Sequence, residues 1–307
     1  MRPKTGVWIA LLAACTLLLT ACGHKPDLPY VDLSSLQPLP AMAEAEVLPL
    51  RVAVAAVISP KGTVESYGLL LDYLSDKLDR PVELVQRRTY AEVNDLVEQG
   101  EVDVAFVCTS AYVAGQREFG MKLLAAPQVG GEAVYYSYLI VPADSPATSM
   151  ADLRGKIFAF TDPMSNTGRL YPTHLVRQLG ASPKTFFRRT FFTYSHDDAI
   201  RAVAAGLADG ASVDSLVYEF AVSRDPELAA KIKVIDRSPP FGSPPVVVNP
   251  DLSPKLQAEL KRLLLGLDDY PEGYQVLKTL GVDRFVVVND TTYDSVRQLE
   301  QEVGPLP

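Results

Sequence analysis

From Leu50 onward the chain repeats one pattern: a short apolar run that reads as a buried strand, then a longer amphipathic run that reads as a helix. RVAVAAVI is the first strand, Tyr67 to Leu78 the first helix, VELVQR the second strand, Tyr90 to Gln99 the second helix and VDVAFV the third strand. Helices of this length between strands require crossover connections, hence a mainly parallel sheet covered on both faces. After a strand over Tyr135 to Pro142 a second series begins. It runs through KIFAF, a helix over Arg169 to Leu179, a strand near Phe187 to Phe192, a helix over His196 to Ala205 and a strand over Ala211 to Val213. Strands at Val234 to Asp236 and Val246 to Val248 lead back, and three helices over Ser253 to Gly266, Pro271 to Leu280 and Thr291 to Val303 finish the chain. With 307 residues and 48% hydrophobic content, the chain is larger than one core usually grows. The expected architecture is α/β and two-lobed, with residues 50–140 and 237–307 in lobe 1, residues 141–236 in lobe 2, and two crossing segments as a hinge. Such a cleft closes around a small molecule bound beyond the carboxyl ends of the strands.

The N-terminus is of another kind. Arg2 and Lys4 precede an apolar run from Gly6 to Leu19, then Leu19-Thr20-Ala21-Cys22, so residues 1–21 read as an export signal. A membrane span would need about 20 apolar residues, more than this run supplies. The Leu-Thr-Ala-Cys ending resembles a bacterial lipobox, which implies cleavage before Cys22 and lipid attachment there. Residues 22–49 carry Pro26, Pro29, Pro38, Pro40 and Pro49 without a sustained period and read as a tether. The expected location is the periplasmic face of a bacterial membrane or the outer face of the cell membrane. Cys15 leaves with the signal, so Cys108 is the one free thiol of the mature chain and no internal disulfide forms.

A formal net charge of −8 excludes nucleic acid as a partner, since no basic face offsets phosphate repulsion. The three histidines fall in no ligand-spaced pair and there is no Cys-x-x-Cys, so no metal and no cofactor is expected. The stretch richest in chemistry is FTDPMSNTGRLYPTHLVRQL, from Phe160 to Leu179. Asp162-Pro163 starts a turn, Gly168 removes a side chain where backbones come close, and Ser165, Asn166 and Thr167 suit a helix start. A helix start offers unpaired N–H groups and a partial positive charge to an anion. The plain alternative is ordinary capping.

The segments VAVAAVISPKGTVESYGLLLDYLSDKL, GEVDVAFVCTSAYV, DPMSNTG and YSHDDAIRAVAAGLADGASVDS together resemble the phosphonate/phosphite/phosphate-binding periplasmic proteins, the substrate-binding subunits of ABC importers with the type II periplasmic binding protein fold. The resemblance runs from about Leu50 to Gly304. It implies a small phosphorus oxyanion as ligand, an ABC permease as partner, a monomer and no catalysis. It places Ser165, Asn166 and Thr167 where the family holds the oxyanion, although the family's central residue is Thr, not Asn. His196 matches a histidine that touches the oxyanion, where it would otherwise be a capping or exposed residue. Asp214 matches an acidic residue facing the ligand, which beside an anion implies a protonated or amine-bearing species; its alternative role is to cap the helix at Ser215. Tyr67 and Tyr112 fall where the family turns ring hydroxyls toward the ligand, with half-buried packing as the alternative.

Cys108 departs from the family, which has a small residue there. It reads as a small buried hydrophobe, or as a thiolate favoured by a helix start. The second reading resembles relatives that bind arsenite and signal to a membrane histidine kinase, trivalent arsenic being a soft partner for sulfur. A third reading, a Ser165-His196-Asp214 hydrolase, lacks the Gly-x-Ser-x-Gly elbow that would expose a nucleophile.

Overall fold

The structure is a computed structural model that describes residues 47–304. The export signal, Cys22 and nearly all of the tether lie outside the described residues. Among the described residues, no helix is long and apolar enough to cross a membrane.

Two sheets organise the chain. In the first, β1 (Leu50–Val54) lies between β2 (Val82–Gln86) and β3 (Val104–Phe106), all parallel. Beyond β3 come β12 (Val246–Val248), β4 (Lys122–Gln128) and β13 (Arg284–Val286), each antiparallel to its neighbour. In the second sheet β7 (Ile157–Phe160) lies between β8 (Arg189–Phe192) and β9 (Gly210–Asp214), again parallel. Then β6 (Ser137–Pro142) and β10 (Ile232–Arg237) follow antiparallel. Each sheet thus has the expected parallel heart, and β12, β13 and β6, which run against it, are strands the chain reaches after changing sheets. The fold is that of a two-lobed type II periplasmic binding protein.

The two crossings pair with each other: β5 (Val134–Tyr135) and β11 (Phe241–Gly242) form their own antiparallel ribbon. The expected 140/141 division lies inside β6, and the expected 236/237 division lies at the end of β10. The strand expected over Tyr135 to Pro142, leaving lobe 1, is divided: Tyr135 belongs to the ribbon, while Ser137–Pro142 pairs entirely within the second sheet.

Both sheets are buried on both faces, and strand alternation shows how. Leu50, Val52 and Val54 enter one core while Ala53 and Ala55 enter another on the opposite face. In the second sheet Leu139 and Val141 face the Phe158–Phe187 stack, at a centroid distance of 4.5 Å, and Ile140 faces the other way. Each such fully buried aliphatic or aromatic side chain contributes about 1.5–3 kcal/mol. With two covered faces in each lobe, the loops at the strand ends are held in place.

Candidate functional site

The turn after β7 is built from its own sequence. Asp162 accepts from Met164 N through Oδ1, and its carbonyl accepts from Ser165 N. Ser165 Oγ accepts from Gly168 N at 3.0 Å, so Ser165 caps the next element. That element is a single π-helical turn, Asn166–Leu170, before the helix Tyr171–Gln178. Gly168 is needed here: its carbonyl accepts from Thr161 N, and a Cβ on it would collide with the Thr161 side chain. Helix starts leave their first N–H groups without intrahelical acceptors. Ser165, Asn166 and Thr167 are all 0% exposed, so this end of the turn is enclosed by other parts of the chain.

What encloses it comes from both sheets. Asn166 Nδ2 donates to Tyr135 Oη at 3.1 Å, and Tyr135 Oη shares a 2.6 Å bond with Thr109 Oγ1. Asn166 N–H lies against the Cys108 sulfur. The helix Tyr90–Glu98 offers its first N–H to Asp162 Oδ2 at 3.1 Å. His196, opening the helix His196–Ala204, donates its N–H to the Val57 carbonyl at 2.9 Å, and Ser59 N donates to Asp197 Oδ1 at 2.8 Å.

The His196 ring has a defined tautomer. Nδ1 accepts from Asp214 N at 3.0 Å, so the proton sits on Nε2, which lies 3.4 Å from Ser165 Oγ. Burial lowers the His196 pKa to about 3, which keeps the ring neutral. Asp214 does cap the helix Ser215–Arg224, its Oδ1 accepting from Leu216 N at 2.8 Å and Val217 N at 3.3 Å. It is also only 3% exposed, and burial raises its pKa to about 7. The expected alternatives, capping or facing a ligand, are therefore compatible for Asp214, as they are for Ser165.

Cys108 stands at the end of β3, 3% exposed, at the head of the helix Thr109–Phe119. The N–H groups of Asn166 and Ser110 favour its thiolate, but burial outweighs them and pushes the thiol up. The expectation of a helix-stabilised thiolate is thereby corrected. Tyr67 meets Phe106 edge-on at 5.0 Å and lines a cavity together with Asp214. Tyr112 is corrected too: its hydroxyl donates to Asp290 Oδ1 at 2.6 Å and its ring packs on Tyr293, so it serves the interior of its own helix layer.

Tyr90 and Tyr135 take part without having been singled out. Burial and the neighbouring Cys108 and Asp214 raise both hydroxyls well above the usual range. Three buried polar atoms of the cluster, Tyr90 Oη, Asn166 Oδ1 and Thr167 Oγ1, have no hydrogen-bond partner among the described residues. Such groups are costly unless something pairs with them. Tyr90 ends the loop beyond β2 and so obeys the strand-end rule; Tyr135, in a crossing ribbon, carried no signal of that kind. Among the described residues, no Lys or Arg side chain hydrogen-bonds to any member of the cluster. The cluster is a set of neutral donors with one carboxyl that titrates near neutrality.

Beside it lies a cavity of about 140 Å³ between Tyr67 and Phe106 on one side and Asp214, Val217 and Phe220 on the other. A wider groove of about 940 Å³ opens elsewhere, near Arg117, Arg169 and Glu300, and none of the eight expected site residues lines it.

Residues 52–293 match the model of the family described as "ABC transporter, phosphonate, periplasmic substrate-binding protein". The chain is 28% identical over 268 residues to the phosphate-import protein PhnD of Mycolicibacterium smegmatis, covering 83% of this chain and 80% of that one. It is 27% identical over 280 residues to the phosphonates-binding periplasmic protein of Escherichia coli, covering 89% and 82% respectively. A solved binding-protein component of an ABC phosphonate transporter from Pseudomonas aeruginosa superposes with a TM-score of 0.78 at 24% identity, over 83% of this chain and 86% of that one.

Proposed function

Because the chain belongs to the family of periplasmic substrate-binding proteins of phosphonate ABC transporters, we propose that it captures a small phosphorus oxyanion (phosphonate, phosphite or phosphate) and presents it to an ABC permease. The observation that carries the ligand reading is the buried turn at Ser165, Asn166 and Thr167, with unpartnered polar atoms on Asn166, Thr167 and Tyr90 beside it. An oxyanion entering such a site exchanges water for neutral donors: the Ser165, Thr167 and Tyr90 hydroxyls and the Nε2–H of His196. Asn166 Oδ1 is an acceptor, and the Asp214 carboxyl accepts or donates according to its proton. Both suit an oxyanion that itself carries a proton.

The same geometry argues for binding without turnover. A hydrolytic triad needs the histidine to take the serine proton through Nε2 while Nδ1–H points at a carboxylate. In His196 the roles are reversed, with Nδ1 accepting from a backbone amide. A metalloid sensor built on Cys108 would need an available thiolate, and burial works against one. We place the mature protein at the periplasmic face of the membrane, held through Cys22; replacing Cys22 by Ser should move it to the soluble fraction.

The test is a thermal-shift panel with phosphate, phosphite, methylphosphonate and arsenite. A ligand at a hundred times its Kd stabilises the fold by about 2.7 kcal/mol. Wild type should show such a shift with at least one phosphorus oxyanion, and S165A/T167A should lose it. A flat panel across all phosphorus oxyanions would overturn the reading; an arsenite shift abolished by C108S would replace it.

A further inference from the structure

The cavity of about 140 Å³ shares its boundary with the oxyanion cluster. Asp214 and Tyr67 line it, Val107 lines it next to Cys108, and Val57 lines it while its carbonyl accepts the His196 N–H. The remaining walls are almost wholly apolar, with Phe106 from the first sheet and Val217 and Phe220 from the helix after β9. Among the described residues, no ionisable side chain apart from Asp214 and Tyr67 reaches it, and one Asp214 oxygen already accepts two backbone N–H groups. At Gly281 the Phe220 ring packs so closely that a Cβ would come within 2.8 Å of it, which closes that wall.

We infer that this cavity receives the organic substituent of the bound phosphorus oxyanion, and that the substituent is apolar: an alkyl- or arylphosphonate is the preferred ligand over inorganic phosphate or an aminoalkylphosphonate. This rests on the oxyanion reading above and adds the class of substituent. Size supports it, since an apolar protein cavity of about 150 Å³ is known to take up benzene. Lining supports it as well. An ammonium placed along these walls would lose most of its water and meet only the Asp214 carboxyl, one oxygen of which two backbone N–H groups already occupy, whereas each methylene moved there from water tightens binding about threefold to fourfold. An inorganic anion gains nothing from the walls.

Titration calorimetry on the mature chain decides the matter with phosphate, methyl-, propyl- and phenylphosphonate and 2-aminoethylphosphonate, which has as many heavy atoms as the propyl compound. Propylphosphonate should bind about tenfold more tightly than methylphosphonate. Phenylphosphonate should bind at least as tightly as the propyl compound and 2-aminoethylphosphonate more weakly. V217F, which fills the cavity, should reverse the order so that methylphosphonate binds best; the wild-type series decides even if that variant does not fold. If methylphosphonate or phosphate binds but propyl and phenyl bring no gain, or the aminoethyl compound is tightest, the substituent assignment is overturned and the oxyanion reading stands. If no phosphorus oxyanion binds, both fall together.

Discussion

His196 and Asp214 are held one hydrogen bond apart, and burial drives them in opposite directions. An unfolded histidine titrates near pH 6.5, whereas His196 in the fold does so at about 3. Between those values the unfolded chain takes a proton the fold refuses, so the histidine's contribution is present above about pH 6.5 and is lost as pH falls. Asp214 is the reverse. Its carboxyl rises from 3.8 to about 7, so its contribution is present below about pH 4 and is lost as pH climbs through 7. Melting curves should therefore show wild type losing ground to D214N between pH 4 and pH 7. The same proton bears on binding: affinity for a phosphonate should drop about tenfold from pH 6 to pH 8 as Asp214 becomes a repelling carboxylate, and D214N should flatten that profile. Both residues were visible in the sequence through YSHDD and ASVDS. Which tyrosines join them was not: Tyr90 opens its helix and Tyr112 stands in the first turn of another, whereas Tyr67, expected at a helix start, lies two turns inside the helix Pro60–Leu78. Tyr112 is drawn off by Asp290, 178 positions along the chain, and no local pattern encodes that.

The helix expected over Arg169 to Leu179 in fact starts as a wide π turn at Asn166, and Arg169 N and Leu170 N both donate to the Ser165 carbonyl. The need for Gly168 was legible as a missing side chain, but the partner it approaches, Thr161, was not. G168A should cost about 1–3 kcal/mol by overpacking. T161A should return part of it, and a chemical-denaturation cycle on the four proteins would show coupling between the sites; simple additivity would contradict the contact. The strand Lys122–Gln128 escaped sequence reading because Lys122 and Pro127 interrupt its apolar run, yet it carries an antiparallel partner on each edge. Strands with a clean apolar run, such as Leu50–Val54 and Ile157–Phe160, were found because buried parallel strands need nothing more than that run.

At the scale of the whole molecule, the lobes meet through a few bonds that have no counterpart within either one. Asp162 Oδ2 receives the first N–H of the helix Tyr90–Glu98, Asp197 receives Ser59 N, and Val57 receives His196 N. A net hydrogen bond contributes about 1 kcal/mol, so D162A should weaken ligand affinity about fivefold and raise the off-rate correspondingly in stopped-flow traces. An unchanged off-rate would show that this bond takes no part in closure. We place the division between lobes at the β5–β11 ribbon. Tyr135 belongs to that ribbon, paired with Phe241, and its hydroxyl also grips Asn166. The crossing ribbon and the buried polar cluster thus share one residue. On the function proposed above, flexing of the ribbon would draw the phenol off Asn166 in the same stroke, so that swinging apart and letting go of the oxyanion would be a single act.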